Sequence, residues 1–283
     1  HTIVDSEKRV LAYLIGAPHG DPKYKDLAPR ASAAMDEAQK DCKLTVEQHG
    51  NGRGQYPVLS TGFSFGGGPR TPFNIPQASP NHKRALDRLV RHPSFVRYAG
   101  QANAGVSTGA PLMYQYLDNV LVDIQKHDPT LQKPFENSIF PAVTFNFGPR
   151  AATVPHRDSR NVPYGWCAIT ALGNFNYKLG GHLILWDLKL LIEFPPGSTI
   201  LIPSAILTHS NTAIQPGETR QSFTQHCAGS LVRWWTYGFR TEATMAHEDP
   251  DLAQKFRSEA AGRWKEKLSL FSKVTELRKD MRS

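Results

Sequence analysis

Residues 180–210 read GGHLILWDLKLLIEFPPGSTILIPSAILTHS. Short runs of Leu, Ile and Phe alternate here with Asp, Gly and Pro, and no run is long enough or periodic enough for a helix. GGHLILWD followed by LKLLIEF reads as a hairpin about Asp187, and PPGS opens the next one with Gly197 at the turn. The same texture extends on both sides in SIFPAVTFNFG, YGWCAITALG, STILIPSAI, RQSFTQHCAG and LVRWWTYGF. Seven or eight such strands without intervening helices point to an all-β sandwich or jelly roll from about Ser138 to Ala246.

The flanks read differently. VDSEKRVLAYLIG, with Ser6 as a cap, and the Ala-rich LAPRASAAMDEAQKDC are expected as helices. HKRALDRLVRH and APLMYQYLDNVLVDIQKH are expected as two more, the second with Leu112, Tyr116, Val120 and Ile124 as its packing stripe. After Ala246, Leu252, Phe256, Ala260, Trp264 and Leu268 recur every fourth residue and predict one long C-terminal helix. The expected division is therefore a helical and loop region at 1–137, a β core at 138–246 and a C-terminal helix at 247–283.

The chain has 283 residues, a net charge of +8 and a pI near 9.4, a balance that favours polyanionic partners. Any nucleic-acid face must be assembled by folding, since no long block of Lys and Arg exists. Three isolated cysteines, Cys42, Cys167 and Cys227, argue against a disulfide framework or a Cys-based zinc site and fit a reducing compartment. No apolar run approaches membrane-spanning length. No secretory leader is legible at His1, and a start at His is expected of a trimmed chain. Gly66-Gly67-Gly68 lacks the Gly-Lys-Ser/Thr of a phosphate-binding loop.

Three His-x-Asp triplets occur: His19-Gly20-Asp21, His156-Arg157-Asp158 and His247-Glu248-Asp249. Only the middle one lies among the strands. Two positions apart on extended chain, His156 and Asp158 point the same way, and His209 follows at the end of a further predicted strand. Two imidazoles and a carboxylate can occupy one face of an octahedron and leave three positions open, as in non-haem Fe(II) oxygenases. Zinc hydrolases use the same trio, so the donors alone do not choose the metal. Arg220, eleven positions after His209 across the NTAIQPGET turn, favours iron. Its guanidinium can fork onto a carboxylate deeper in the barrel, with the Ser222 hydroxyl on the same strand face. That combination suits 2-oxoglutarate, whose keto-acid end chelates iron while its far carboxylate is pinned.

With these residues placed, the chain from about Tyr56 to Glu242 resembles the TET/JBP family of 2-oxoglutarate and Fe(II) dioxygenases, particularly its basidiomycete fungal branch. The matching stretches are SFGGG, SIFPAVTFNFGPR, PHRD, YGWCAITALGNF, GGHLILWDLKLLIEFPPGSTILIPSA, HSN, RQSFTQ and GFRTE. The resemblance implies an α+β fold: a double-stranded β-helix (jelly-roll) core with N-terminal and C-terminal helical additions. It implies His156, Asp158 and His209 as iron ligands and Arg220 as the anchor of 2-oxoglutarate, with O₂ as co-reactant. Asn146 and Arg150 are expected beside the cosubstrate, with Ser222. Asn161, His226 and Asp187 are expected near the target base, although Asn161 is an equally good turn residue and Asp187 reads more readily as a plain one. His226 stands where this branch is expected to carry Tyr, and on its own residues it reads as a core histidine. His182 and the tryptophans 186, 234 and 235 read as structural.

The implied activity is stepwise oxidation of DNA-base methyl groups, chiefly 5-methylcytosine to the hydroxymethyl, formyl and carboxyl forms, with N6-methyladenine demethylation in some fungal members. The expected setting is a nuclear monomer acting on duplex DNA through base flipping, with no membrane association. Phosphate contacts are expected from HKRALDRLVRH, the GGGPR loop and the C-terminal helix. Two alternatives remain open at this point: a 2-oxoglutarate hydroxylase of a small molecule or protein, and a non-catalytic DNA-binding barrel.

Overall fold

Two antiparallel sheets face one another in the computed structural model, which describes residues 1–18, 20–45 and 52–282. The strands are β1 (Thr2–Val4), β2 (Val10–Ile15), β3 (Val58–Ser64), β4 (Phe73–Asn74), β5 (Ala142–Asn146), β6 (Cys167–Asn174), β7 (Leu183–Leu185), β8 (Leu190–Ile192), β9 (Thr199–Ile202), β10 (His209–Asn211) and β11 (Thr219–His226). The larger sheet runs β1-β2-β9-β6-β11-β5-β3-β4, and the smaller runs β10-β7-β8. This is a double-stranded β-helix with helices added on one side.

The register of β11 fixes which face holds what. Phe223 lies opposite Phe145 of β5, which lies opposite Leu59 of β3. All three are buried in one cluster with Ala28, Leu86, Phe95 and Tyr98, contributed by the helices Leu27–Asp41, Pro80–Arg91 and Pro93–Gly109. Side chains alternate along a strand, so Arg220, Ser222, Thr224 and His226 face the other way, toward the smaller sheet. There the intersheet core is built from Ala171, Ile200 and Ile202 against Leu183, Leu185 and Phe194.

Close approach of β6 to β11 depends on one glycine. Gly173 pairs with Arg220 at a φ of +114°, and a Cβ at this position would meet the Thr219 carbonyl oxygen at 2.3 Å. Gly173→Ala should therefore cost roughly 2–3 kcal/mol, with β6 pushed off β11; urea unfolding curves would measure it.

The N-terminal helix predicted over VDSEKRVLAYLIG is instead the hairpin β1–β2. Asp5 makes the turn, its Oδ1 accepting the backbone N–H groups of Glu7 and Arg9 at 2.9 Å. Val10 and Ala12 are both fully buried, a two-residue alternation that a helix cannot produce. Because β2 pairs with β9 and β3 with β5, the larger sheet draws strands from the region expected to be only helix and loop, so the expected boundary at 138 does not separate it from the core. The C-terminal helix is also broken, into Glu242–Glu248, Pro250–Ser258, Ala260–Leu268 and Leu277–Asp280. Asp249 caps the second piece by accepting the Leu252 N–H at 2.9 Å, which Pro250 at the first helical position favours. Trp264 consequently remains 42% exposed rather than joining a continuous stripe.

The other two expected helices form over Pro80–Arg91 and Pro111–His127. In the latter the buried stripe is Met113, Leu117, Val120, Leu121 and Ile124, about one residue round from the one expected. Among the described residues no helix is long and apolar enough to cross a membrane.

Candidate metal and cosubstrate site

His156, Asp158 and His209 are brought together, their ligand atoms all within 4.8 Å of one another, and they are the one such group among the described residues. His156 Nε2 lies 3.7 Å from Asp158 Oδ1, and His209 Nε2 lies 4.0 Å from Oδ2. Two donors bound about 2.1 Å from one divalent ion can span such separations. The first and third ligands come from different segments, joined by a short antiparallel bridge in which each His backbone N–H bonds the other's carbonyl, at 3.1 and 3.0 Å. Asp158 is held by its own N–H to the Ser204 carbonyl at 2.9 Å.

Each ring has its Nδ1 committed. His156 Nδ1 donates to the Val154 carbonyl at 2.8 Å and His209 Nδ1 to the Leu207 carbonyl at 2.9 Å. A carbonyl only accepts, so Nδ1 carries the proton and Nε2 presents its lone pair inward. Burial holds the His209 imidazole below its ordinary value, partly offset by Leu207 and Asp158, which keeps it neutral at pH 7. The Arg53 guanidinium stands 2.7 Å from Asp158 Oδ1 as an ion pair, and that oxygen has no aligned hydrogen-bond donor. Arg53 was missed in the sequence, where a lone Arg in a Gly-rich loop carries no signal.

Arg220 is 1% exposed, the largest fully buried side chain among the described residues. Its Nη1 donates to the Ala151 carbonyl, while Nε and Nη2 have no partner. The guanidinium lies 5.9 Å from the centre of the Phe175 ring, a member of the intersheet core. Burial pushes its pKa down to about 10, so it remains charged at neutral pH. A buried cation with two unsatisfied donors is costly unless an anion completes it, and a carboxylate matches that fork. Beside it, Asn146 Nδ2 donates to Ser222 Oγ at 2.9 Å, directly across the β5–β11 ladder. The sequence placed Arg220 on a strand alongside that of His209. In the structure β10 and β11 lie in different sheets, so Arg220 faces His209's side of the barrel across the interior.

The remaining expected residues divide. His226 lies on the interior face, its Nε2 3.1 Å from Thr144 Oγ1. Burial pushes its pKa down to about 4 from an ordinary 6.5. The unfolded chain thus takes up this proton near pH 6.5 and the folded chain only near 4, so this site costs stability as pH falls through that window. His226→Gln should flatten the decline in melting temperature between pH 7 and 5, as thermal melts would show.

Arg150 is exposed at the strand end and does not join the buried set; only its backbone bridges to Arg220. Asn161 has its side-chain nitrogen engaged within the site. Its amide faces Asp158 Oδ2 at 3.5 Å and Ser204 Oγ at 3.2 Å, steadying the ligand carboxylate. Asp187 is likewise occupied, Oδ1 by Arg157 at 2.9 Å and Oδ2 by the Thr208 N–H at 2.5 Å.

His182 is structural as read, with Nδ1 3.0 Å from Thr212 Oγ1. Trp234 is packed, but Trp186 is 49% exposed. Of the other triplets, Glu248 pairs with Arg240 and Asp249 caps a helix, while His19 lies outside the described residues.

No family model and no curated protein matches the chain. Among solved structures, NgTET1 in complex with 5mC DNA aligns at a TM-score of 0.55 and 15% identity, over 80% of this chain and 75% of that one. A Pseudomonas putida prolyl-4-hydroxylase aligns at 0.38 and 15%, over 77% and 92%. A rice dioxygenase for auxin oxidation aligns at 0.35 and 12%, over 78% and 74%. The fold, a double-stranded β-helix with added helices, is shared with the first of these structures. The His156–Asp158–His209 donor set fits Fe(II), and the unpartnered guanidinium of Arg220 fits the distal carboxylate of 2-oxoglutarate.

Proposed function

We propose that this protein is a 2-oxoglutarate- and Fe(II)-dependent dioxygenase that oxidises methyl groups on DNA bases. The observation that carries the oxygenase reading is the pairing of the metal triad with a buried guanidinium that lacks an anion. When bound, iron and 2-oxoglutarate activate O₂ to an oxidant able to hydroxylate an unactivated methyl group.

The chain's own residues do the positioning. His156, Asp158 and His209 would hold the metal. Arg220 would pin the distal carboxylate, with Ser222 and Asn146 beside it, and the intersheet core would exclude water around it. His226 and Thr144 offer a neutral hydrogen-bonding edge on the same interior face.

The DNA reading is supported by the surface around the metal and by the likeness to a structure that holds 5mC DNA. Arg150 and Arg160 are exposed beside the ligand segments, where they can meet phosphates. The helix Pro80–Arg91 does not serve this purpose. It covers the opposite face of the larger sheet, and Arg88 and Lys83 are paired with Asp41 and Asp87. Lys267 of the C-terminal helices is also turned inward, over the Tyr116 ring. A methyl group within stacked duplex cannot reach an interior metal, so the base is flipped, at a cost of a few kcal/mol.

On this reading 5-methylcytosine is carried to its hydroxymethyl, formyl and carboxyl forms, and N6-methyladenine is demethylated at the same site. The fungal branch of the family, a monomeric state and a nuclear location complete the proposal. The test is incubation with iron, 2-oxoglutarate and duplexes carrying each modified base, followed by nucleoside mass spectrometry. Oxidised nucleosides that vanish without 2-oxoglutarate are expected. Succinate release with no change in either base would transfer the chemistry to another substrate.

A further inference from the structure

The turn Trp186–Leu188 joins β7 to β8, and Asp187 at its centre reaches the segment just before the third metal ligand. Asp187 Oδ2 accepts the Thr208 N–H at 2.5 Å. That N–H belongs to the same peptide plane as the Leu207 carbonyl, and this carbonyl accepts the His209 Nδ1–H at 2.9 Å. One planar amide therefore stands between a carboxylate and a ligand imidazole. A negative acceptor on its N–H draws the amide toward its polar resonance form, making the carbonyl oxygen a stronger acceptor. A stronger acceptor on Nδ1–H in turn enriches Nε2, the atom that faces the metal.

We infer that Asp187 is a positioning residue for the metal centre, acting on His209 through the Leu207–Thr208 peptide. The inference rests on the metal-site reading above and adds a residue to it. Arg157 closes the arrangement. Its Nη2 donates to Asp187 Oδ1 and its Nε to Thr208 Oγ1, both at 2.9 Å. Arg157 lies between His156 and Asp158 and must point away from them, since alternate residues on extended chain face opposite ways. Anchoring it outward sets the rotation of that segment, and so the inward aim of both neighbouring ligands.

The structure supplies an internal control. His156 Nδ1 has a carbonyl partner of the same kind, Val154, but the peptide that follows Val154 is that of Pro155, which has no N–H. No carboxylate can act on His156 by this route.

The experiment compares wild type, Asp187→Asn and Arg157→Gln, labelled with ¹⁵N in histidine, in the metal-free state and during titration with Mn(II) or Zn(II). In metal-free Asp187→Asn the His209 Nδ1–H resonance should move upfield while that of His156 stays. Metal affinity should fall about tenfold, the lower end of what outer partners of a ligand contribute. Arg157→Gln keeps the Thr208 acceptor and should leave the His209 resonance in place. Unchanged His209 signals in Asp187→Asn, or equal movement of both histidines, would overturn the relay. If wild type binds no metal, the metal-site reading fails, while the metal-free resonances still decide whether Asp187 acts on His209.

Discussion

Arg220→Met should make the ligand-free protein more stable and at the same time remove its capacity for 2-oxoglutarate. The two effects have one cause. The guanidinium is fully buried with Nε and Nη2 unpartnered, so in the absence of an anion it carries desolvation that no bond returns. Replacing such a group by an apolar side chain of similar volume stabilises folded proteins by roughly 1–4 kcal/mol. With the cosubstrate present, the same substitution deletes one half of a buried charge pair, which costs about 2–5 kcal/mol or more. Affinity for 2-oxoglutarate should therefore drop by about a hundredfold or more, with metal affinity held. Thermal melts and cosubstrate titrations on the same preparations would check both signs. A destabilised Arg220→Met protein would mean that the guanidinium serves packing rather than an anion.

Asp158→Ala should abolish metal binding without unfolding the chain. The carboxylate supplies the only anionic donor of the triad, and both imidazoles lie within 4.0 Å of it. Its backbone tie to Ser204 and the reciprocal His156–His209 bridge do not involve the side chain, so the framework should stay. Losing an outer partner of a metal ligand already costs 10–100-fold in affinity; losing the ligand should exceed about a hundredfold. Isothermal titration with Mn(II), alongside circular dichroism, separates loss of metal from loss of fold. The two variants differ in what they spare, since Arg220→Met keeps the metal and Asp158→Ala removes it.

Much of this was legible in the sequence because the chemistry demands fixed residue types at workable spacings. His156 and Asp158 share a face by simple alternation, and Arg220 and Ser222 do so on β11. The strands around GGHLILWD and STILIPSA announce themselves by composition.

The failures have physical reasons as well. In VLAYLI every residue is apolar, so a two-residue alternation and a helical stripe look alike until the partner strand β9 decides. The four-residue spacing from Leu252 to Leu268 is genuine, but Asp249 and Pro250 start a fresh helix and the stripe breaks at Glu259. Asn161 and Asp187 were placed near the base by position; their contacts to Ser204 and Thr208, 43 and 21 residues away, are encoded by no local pattern. The positive charge of HKRALDRLVRH is visible in the sequence. That it covers the far face of the sheet follows only from the pairing of β11 with β5.

The most direct measurement is an anaerobic titration of the Fe(II)-loaded protein with 2-oxoglutarate, followed by visible absorption. Chelation of iron by the keto acid should produce a charge-transfer band that saturates in wild type, disappears in Asp158→Ala, and in Arg220→Met emerges only at far higher 2-oxoglutarate. A wild-type protein that binds iron yet gives no band, or a band whose concentration dependence ignores Arg220, would contradict the assignment of this barrel.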